Sequence, residues 1–172
     1  MTYRCHDWYC MLYTPNTEVY SMEYEIIELD EKTVAGIAAR TNNSSPDMTA
    51  VIGGLWSTFF SPGFFPAITG RKNAFTLGIY TDYAGTEKDD YTVIAGCEVQ
   101  AEAAVPAPLI LRKLPAGKYA RFTVRGNAHT AVAAFWQELW AMKLPRAFTC
   151  DFEEYRTSDM EHAEIFIYIS LL

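Results

Sequence analysis

The stretch "DFEEY", residues 151–155, places Asp151, Glu153, Glu154 and Tyr155 in a segment otherwise built like a β-strand. A carboxylate removed from water is costly unless it is paired, hydrogen-bonded or protonated. Two chemistries suit a Glu beside a Tyr. In an aromatic-lined cleft Glu153 is a counter-charge for an organic cation, and each aromatic face adds roughly 0.5 to 2 kcal/mol of cation–π attraction. Alternatively, a desolvated Glu153 of raised pKa activates water as a general base, with Tyr155 or Tyr80 as acid or orienter, giving a small-molecule hydrolase. The chain has no Ser-His-Asp order, no metal motif and no P-loop. Catalytic roles are therefore assigned only under the hydrolase alternative, to Glu153 and Tyr155, and no metal or cofactor is expected. His129 reads as a helix-start residue and His162 as a turn residue, so neither is the candidate base.

Strict alternation groups Phe148, Cys150, Phe152 and Glu154 on one face of this strand, and Thr149, Asp151, Glu153 and Tyr155 on the other. By pattern alone the Glu153 face is exposed. The first half of the chain offers a counterweight, because "AFTLGIY" aligns with "AFTCDFE" and sets Tyr80 at the place of Glu153, beside Thr76 and Gly78. Small residues around a large one suit a face that approaches a ligand. Which of Glu153 and Glu154 faces a cleft stays open at this level.

The elements that must position these residues occur twice. "YEIIELDEKTVAGIAAR" reads as a strand broken around Asp30 to Lys32. A helix follows in "SSPDMTAVIGGLWSTFF", with Ser45 as N-cap, Pro46 in the first turn and an apolar stripe through Trp56, Phe59 and Phe60. Strands "AFTLGIYTDY" and "DYTVIAGCEVQ" complete the first unit. The second unit has "LILRKLPAGKYARFTVRG", broken at Pro115 to Gly117, then a helix carrying Trp136 and Trp140 that Pro145 stops, then "AFTCDFEEYR" and "AEIFIYISLL". The expected architecture is α+β: a duplicated β-α-β-β unit, with an antiparallel sheet and two main helices on one face. Residues 1–21 are read as an extension, and 22–172 as one domain of two repeats, about 22–102 and 109–172. Two helices side by side across one sheet leave a cleft between them, a usual place for a small ligand. Its expected walls are Trp56, Phe59, Phe60, Trp136 and Trp140 from the helices and Tyr80, Tyr91, Tyr155 and Tyr168 from the strands.

Composition narrows the partners. The formal charge of −7, with 14 basic residues and no basic run, argues against a direct nucleic-acid binder. Aromatics at 15% exceed packing needs and suit a pocket for a hydrophobic or cationic small molecule. Cys5, Cys10, Cys97 and Cys150 lack CxxC pairing and read as free thiols, which points to the cytoplasm. Cys5, His6 and Cys10 lack a second ligand pair at zinc-site spacing. No apolar run is long enough for a signal peptide or membrane span.

The order of elements, "LPAGKYARFTVRG" before the second helix, "AVAAFWQELW" within it, and "DFEEY" followed by "IFIYISL" resemble the GyrI-like effector-binding domain family, over residues 22–172. That family includes ligand-sensing domains of multidrug-responsive AraC- and MerR-type regulators, stand-alone integron-cassette and gyrase-inhibitor-like proteins, and some hydrolytic members. The resemblance implies a GyrI-like (SHS2-type) fold and a ligand cleft in which the F-E-x-Y pattern of Phe152, Glu153 and Tyr155 supplies the pocket carboxylate. It implies a stand-alone effector-binding protein with a role in transcriptional regulation or drug response. With no helix-turn-helix segment read in the chain, that role runs through a partner regulator protein or through ligand concentration. The alternatives are a hydrolase and a protein-binding inhibitor or regulator.

Overall fold

The computed structural model describes residues 20–172, with side chains from Met22 onward. Apart from the first residues of a strand that begins at Tyr20, the expectations for residues 1–21 lie outside the described residues, as do those for Cys5, His6 and Cys10. The chain runs β1 (Tyr20–Leu29), β2 (Lys32–Thr41), α1 (Met48–Phe59), β3 (Thr76–Thr81), β4 (Tyr91–Val99), β5 (Ile110–Leu114), β6 (Gly117–Gly126), α2 (Ala128–Ala141), β7 (Cys150–Tyr155) and β8 (Ala163–Ser170). It is an α+β fold with one eight-stranded antiparallel sheet, ordered β1-β6-β8-β7-β3-β4-β2-β5.

That order reads the same from both ends when β1 to β4 are exchanged for β5 to β8, which is the mark of a duplicated unit. The pseudo-two-fold axis passes through the central pair β3–β7, where Ile79 faces Phe152. Each strand expected to be merely broken is two strands, and the pieces part company: β1 pairs with β6 of the second unit, while β2 pairs with β4 of its own. Leu29 and Lys32 are joined only through Asp30 and Glu31, a reach of at most about 11 Å. β1 nonetheless is first in the order and β2 the last but one, so the sheet must curl until its ends approach each other. The apolar cluster of Val34, Leu77, Ile79, Leu114, Tyr119 and Phe152, with Ile27 and Leu29 against it, fills the side away from the helices.

Alternation decides what each helix covers. On β8, Ile165, Ile167 and Ile169 pack with Phe135 and Leu139 of α2 and with Phe122 and Val124 of β6. On β4, Tyr91, Val93, Ala95 and Cys97 pack with Leu55 and Phe59 of α1. Each fully buried side chain of this size contributes roughly 1.5–3 kcal/mol. Leu55 and Phe59 in one helix match Phe135 and Leu139 in the other at a constant offset, as do Trp56 with Trp136 and Phe60 with Trp140. α1 thus rests on β2 and β4, and α2 on β6 and β8. The central strands β3 and β7 are left as the floor of a gap.

The helix starts depart in part from expectation. In α1 the N-cap is Asp47, without a side-chain capping bond, so Ser45 and Pro46 precede the helix; the Ser45 hydroxyl instead donates to Asp47 and satisfies its carboxylate. In α2, Asn127 Oδ1 accepts from the backbone N–H groups of His129 at 3.1 Å and Thr130 at 3.3 Å, the usual device for orphan donors at a helix start.

Candidate functional site

The gap between the helices is a cavity of about 1400 Å³. Its floor is the helix-facing row of the central pair. Register sets Thr76 opposite Tyr155, Gly78 opposite Glu153, and Tyr80 opposite Asp151. Parity therefore puts Glu153 toward the helices. Glu154 lies on the other face, where it pairs with Arg156 at 2.5 Å.

Glu153 is 2% exposed, and three neutral donors hold it. Trp136 Nε1 and the Tyr80 hydroxyl donate to Oε1 at 2.6 and 2.9 Å, and the Tyr155 hydroxyl donates to Oε2 at 2.8 Å. The carboxylate lies across β3 because residue 78 is glycine: a Cβ there would stand 2.8 Å from Glu153 Oε2 and 3.3 Å from Trp56 Cζ2. Burial pushes the Glu153 carboxyl above its ordinary pKa, against the lowering effect of its three hydrogen bonds. The Tyr80 and Tyr155 hydroxyls are pushed up too, first by burial and then by Glu153, so both remain protonated donors. Tyr91 is pushed up to about 12 by burial and then by Glu153.

Aromatic rings surround this carboxylate. Trp56 meets Tyr155 edge-on at 5.5 Å and stacks on Phe60 at 5.7 Å. Tyr80 meets Trp136 at 5.1 Å and Tyr91 at 5.7 Å. Phe60 and Trp140, equivalent in the two helices, are 52% and 43% exposed at the cavity's edge. Of the residues expected to form a ligand site, Glu153, Tyr155, Tyr80, Trp56, Phe60, Trp136, Trp140 and Tyr91 line the cavity.

Tyr168 does not. It has the opposite parity on β8 to Ile165, Ile167 and Ile169, and stacks on Phe152 at 4.4 Å on the side away from the helices. Phe59 is fully buried beneath α1 and belongs to the core. Sequence reasoning missed Arg146, Tyr83, Asn43 and Glu87, which also line the cavity. Asp151 shares the face of Glu153, a placement that alternation did signal. Arg146 follows the helix-stopping Pro145, and nothing in its neighbourhood marks it. Among the described residues no group of three or more His, Cys, Asp or Glu is placed to hold a metal ion. No helix among them is long and apolar enough to cross a membrane.

The fold and sequence have relatives. The chain is 28% identical to an integron cassette protein from the mobile metagenome of Vibrio cholerae, VCH_CASS2; the match covers 89% of this chain and 97% of that one, with a TM-score of 0.74. Its fold is similar to that of SAV2435, solved bound to tetraphenylphosphonium (19% identity, 87% and 94% covered, TM-score 0.68). It is also similar in fold to EcmrR, solved in a complex with DNA (15% identity, 89% and 58% covered, TM-score 0.53). No curated protein sequence matches the chain. The model of the integron-associated effector-binding proteins matches residues 25–171, nearly the whole described fold, and the chain belongs to that family, Cass2.

Proposed function

We propose that the cavity between α1 and α2 binds a hydrophobic organic cation, with Glu153 as its counter-charge, and that the protein senses or sequesters such molecules. One observation carries this reading: Glu153 is buried in an aromatic cavity, and its hydrogen-bond partners are an indole and two phenols, with no basic side chain among the described residues paired to it. Neutral donors orient a carboxylate without cancelling its charge. A cation supplies the missing charge, and the faces of Trp56, Trp136 and the tyrosines supply cation–π attraction of roughly 0.5–2 kcal/mol each. The cationic tetraphenylphosphonium bound by SAV2435, a protein of like fold, supports the ligand class. The presence of the same fold in a DNA-bound regulator supports a place in regulation, reached here through a partner protein. The hydrolase alternative has weaker support, because the hydroxyl hydrogens of Tyr80 and Tyr155 are both directed at Glu153 and leave neither phenol as a free acid.

The test is tryptophan fluorescence during titration with tetraphenylphosphonium and with neutral triphenylphosphine oxide. Saturable quenching by the cation at concentrations at least tenfold lower than by the neutral compound is expected. Equal response to both would remove the charge from the account.

A further inference from the structure

The cavity continues past Glu153 along a row of rings. Trp136, Tyr80, Tyr91 and Tyr83 all line it and follow one another at centroid distances of 5.1, 5.7 and 5.7 Å. Trp136 and Tyr80 donate to Glu153 at one end. At the other end stand Arg146 and Glu87, which line the same cavity. Arg146 Nη2 donates to Asp151 Oδ2 at 2.7 Å, and Nη1 lies 3.5 Å from Glu87 Oε2. Asp151, fully buried, is saturated: Ser170 donates to Oδ1 through both its backbone N–H and its hydroxyl, and Tyr83 joins Arg146 on Oδ2. Asp151 is therefore the anchor of Arg146 and already meets its charge.

That leaves a surplus. Glu87, Asp151 and Arg146 together carry a net charge of −1, and Glu87 is the acid of the three with an accessible side chain, 23% exposed against 0% for Asp151. The neighbouring donors are engaged elsewhere. The Tyr83 hydroxyl is on Asp151, the Tyr91 hydroxyl donates to Asn43 Oδ1 at 2.7 Å, and Asn43 Nδ2 donates to the backbone carbonyl of Glu87 at 2.8 Å. Among the described residues the Glu87 carboxylate accepts no hydrogen bond, and the ion pair with Arg146 is its one polar contact. The remaining charged groups of the wall are better matched: Arg156 meets Glu154 at 2.5 Å, and Asp159 accepts from the backbone N–H groups of Glu161 and His162.

The geometry points to an elongated dication as the ligand of this cavity, with a lipophilic cation at Glu153 and, at the far end of the aromatic row, an N–H-bearing cation such as a primary ammonium that donates to Glu87. This rests on the cation-binding reading of the cavity. The two ends differ in what they lack. Glu153 already accepts three hydrogen bonds and needs only charge, which a cation without N–H groups supplies. Glu87 lacks donors, and an ammonium brings them together with the charge. Glu153 and Asp151 are two residues apart on one strand, about 7 Å, and Arg146 stands between Asp151 and Glu87, so the two acidic ends are on the order of 10 Å apart. A flexible chain of eight methylenes covers that span.

The experiment compares (8-aminooctyl)triphenylphosphonium with (8-hydroxyoctyl)triphenylphosphonium, which carries a neutral hydroxyl on the same skeleton. Their dissociation constants are measured by calorimetry at pH 8 on wild type and Glu87→Gln, at physiological ionic strength to screen the acidic surface. In the wild type the amino compound is expected to bind at least tenfold tighter than the hydroxyl one. In Glu87→Gln the two should bind within threefold of each other, and the hydroxyl compound should keep its wild-type affinity. A second measurement needs no variant: carbodiimide coupling of the bound amino compound to the wild-type protein, located by peptide mass spectrometry, is expected at Glu87 and is expected to be suppressed by excess tetraphenylphosphonium. Equal wild-type affinities, an ammonium advantage that survives Glu87→Gln, or coupling at other carboxylates in place of Glu87 overturns the dication proposal while leaving cation binding at Glu153 intact. Failure of both compounds and of tetraphenylphosphonium to bind overturns the cation reading and this proposal together.

Discussion

Replacing Gly78 with alanine separates the placement of Glu153 from the stability of the fold. The new Cβ would stand 2.8 Å from Glu153 Oε2, a distance that real contacts do not tolerate, and 3.3 Å from Trp56 Cζ2. Gly78 lies within β3, paired with Ala95 and Glu153, so the methyl group can be relieved only by movement of side chains. The Glu153 carboxylate is the end of a flexible side chain and gives way first, which breaks the 2.8 Å bond from Tyr155. A hydrogen bond to a charged group is worth about 1.5–3 kcal/mol. Alanine in place of glycine returns about 0.4–1 kcal/mol by restricting the unfolded chain. The net loss of stability is therefore about 0.5–2.5 kcal/mol, measured by urea denaturation at pH 8. The displaced carboxylate also leaves its position among Trp136, Tyr80 and Tyr155, and tetraphenylphosphonium affinity, measured by calorimetry, should fall at least tenfold. A folded Gly78→Ala protein that binds the cation within twofold of wild type would refute the claim that Glu153 must lie across β3.

Three further outcomes follow from the buried carboxylates Glu153 and Asp151. Because burial raises the Glu153 pKa, cation affinity should fall as pH is lowered through the raised value, and binding near it should release protons, seen as a dependence of the calorimetric enthalpy on buffer ionisation heat. The unliganded protein should behave oppositely: the folded state holds the Glu153 proton over the window between the ordinary carboxylate range and the raised value, so the contribution of this residue to stability declines as pH rises through that window, and Glu153→Gln should flatten the decline. Asp151→Asn leaves Arg146 buried without its carboxylate and should cost about 3–5 kcal/mol in chemical denaturation.

Much of this arrangement was legible in the sequence because period and repetition are local signals. The two helices and the strands of the repeat follow from spacing, and the alternation of Cys150 and Phe152 separates Glu154 from Glu153 correctly, whereas Phe148, expected on the same face, lies before β7 in a left-handed turn and packs on Arg146 and Tyr83. What alternation lacks is the identity of the cover: the Glu153 row reads as solvent-facing because α1 and α2 stand over the outer strands and leave the central pair beneath a cavity. The exchange of β1 and β5 between the units depends on long-range pairing that the two-residue corners Asp30–Glu31 and Pro115–Ala116 do not announce. Tyr168 was misplaced for a simpler reason: an aromatic on a fully buried strand can face either side, and its isoleucine neighbours face α2. The Arg146–Asp151 anchor joins residues only five apart, but it depends on the left-handed turn at Phe148, which a phenylalanine does not signal.

The central claim, that Glu153 is the counter-charge of a cation-binding cavity, is tested most directly by the dissociation constant of tetraphenylphosphonium for wild type and Glu153→Gln at pH 8. Glutamine keeps the size of the side chain and its Oε1 acceptor for Trp136 and Tyr80, removes the charge, and puts an N–H donor where Oε2 accepted from Tyr155, whose hydroxyl oxygen can turn to accept it. The account predicts a folded variant, no less stable than wild type, whose affinity is at least tenfold weaker, a loss of about 1.4 kcal/mol or more. Affinities within twofold of each other would contradict it.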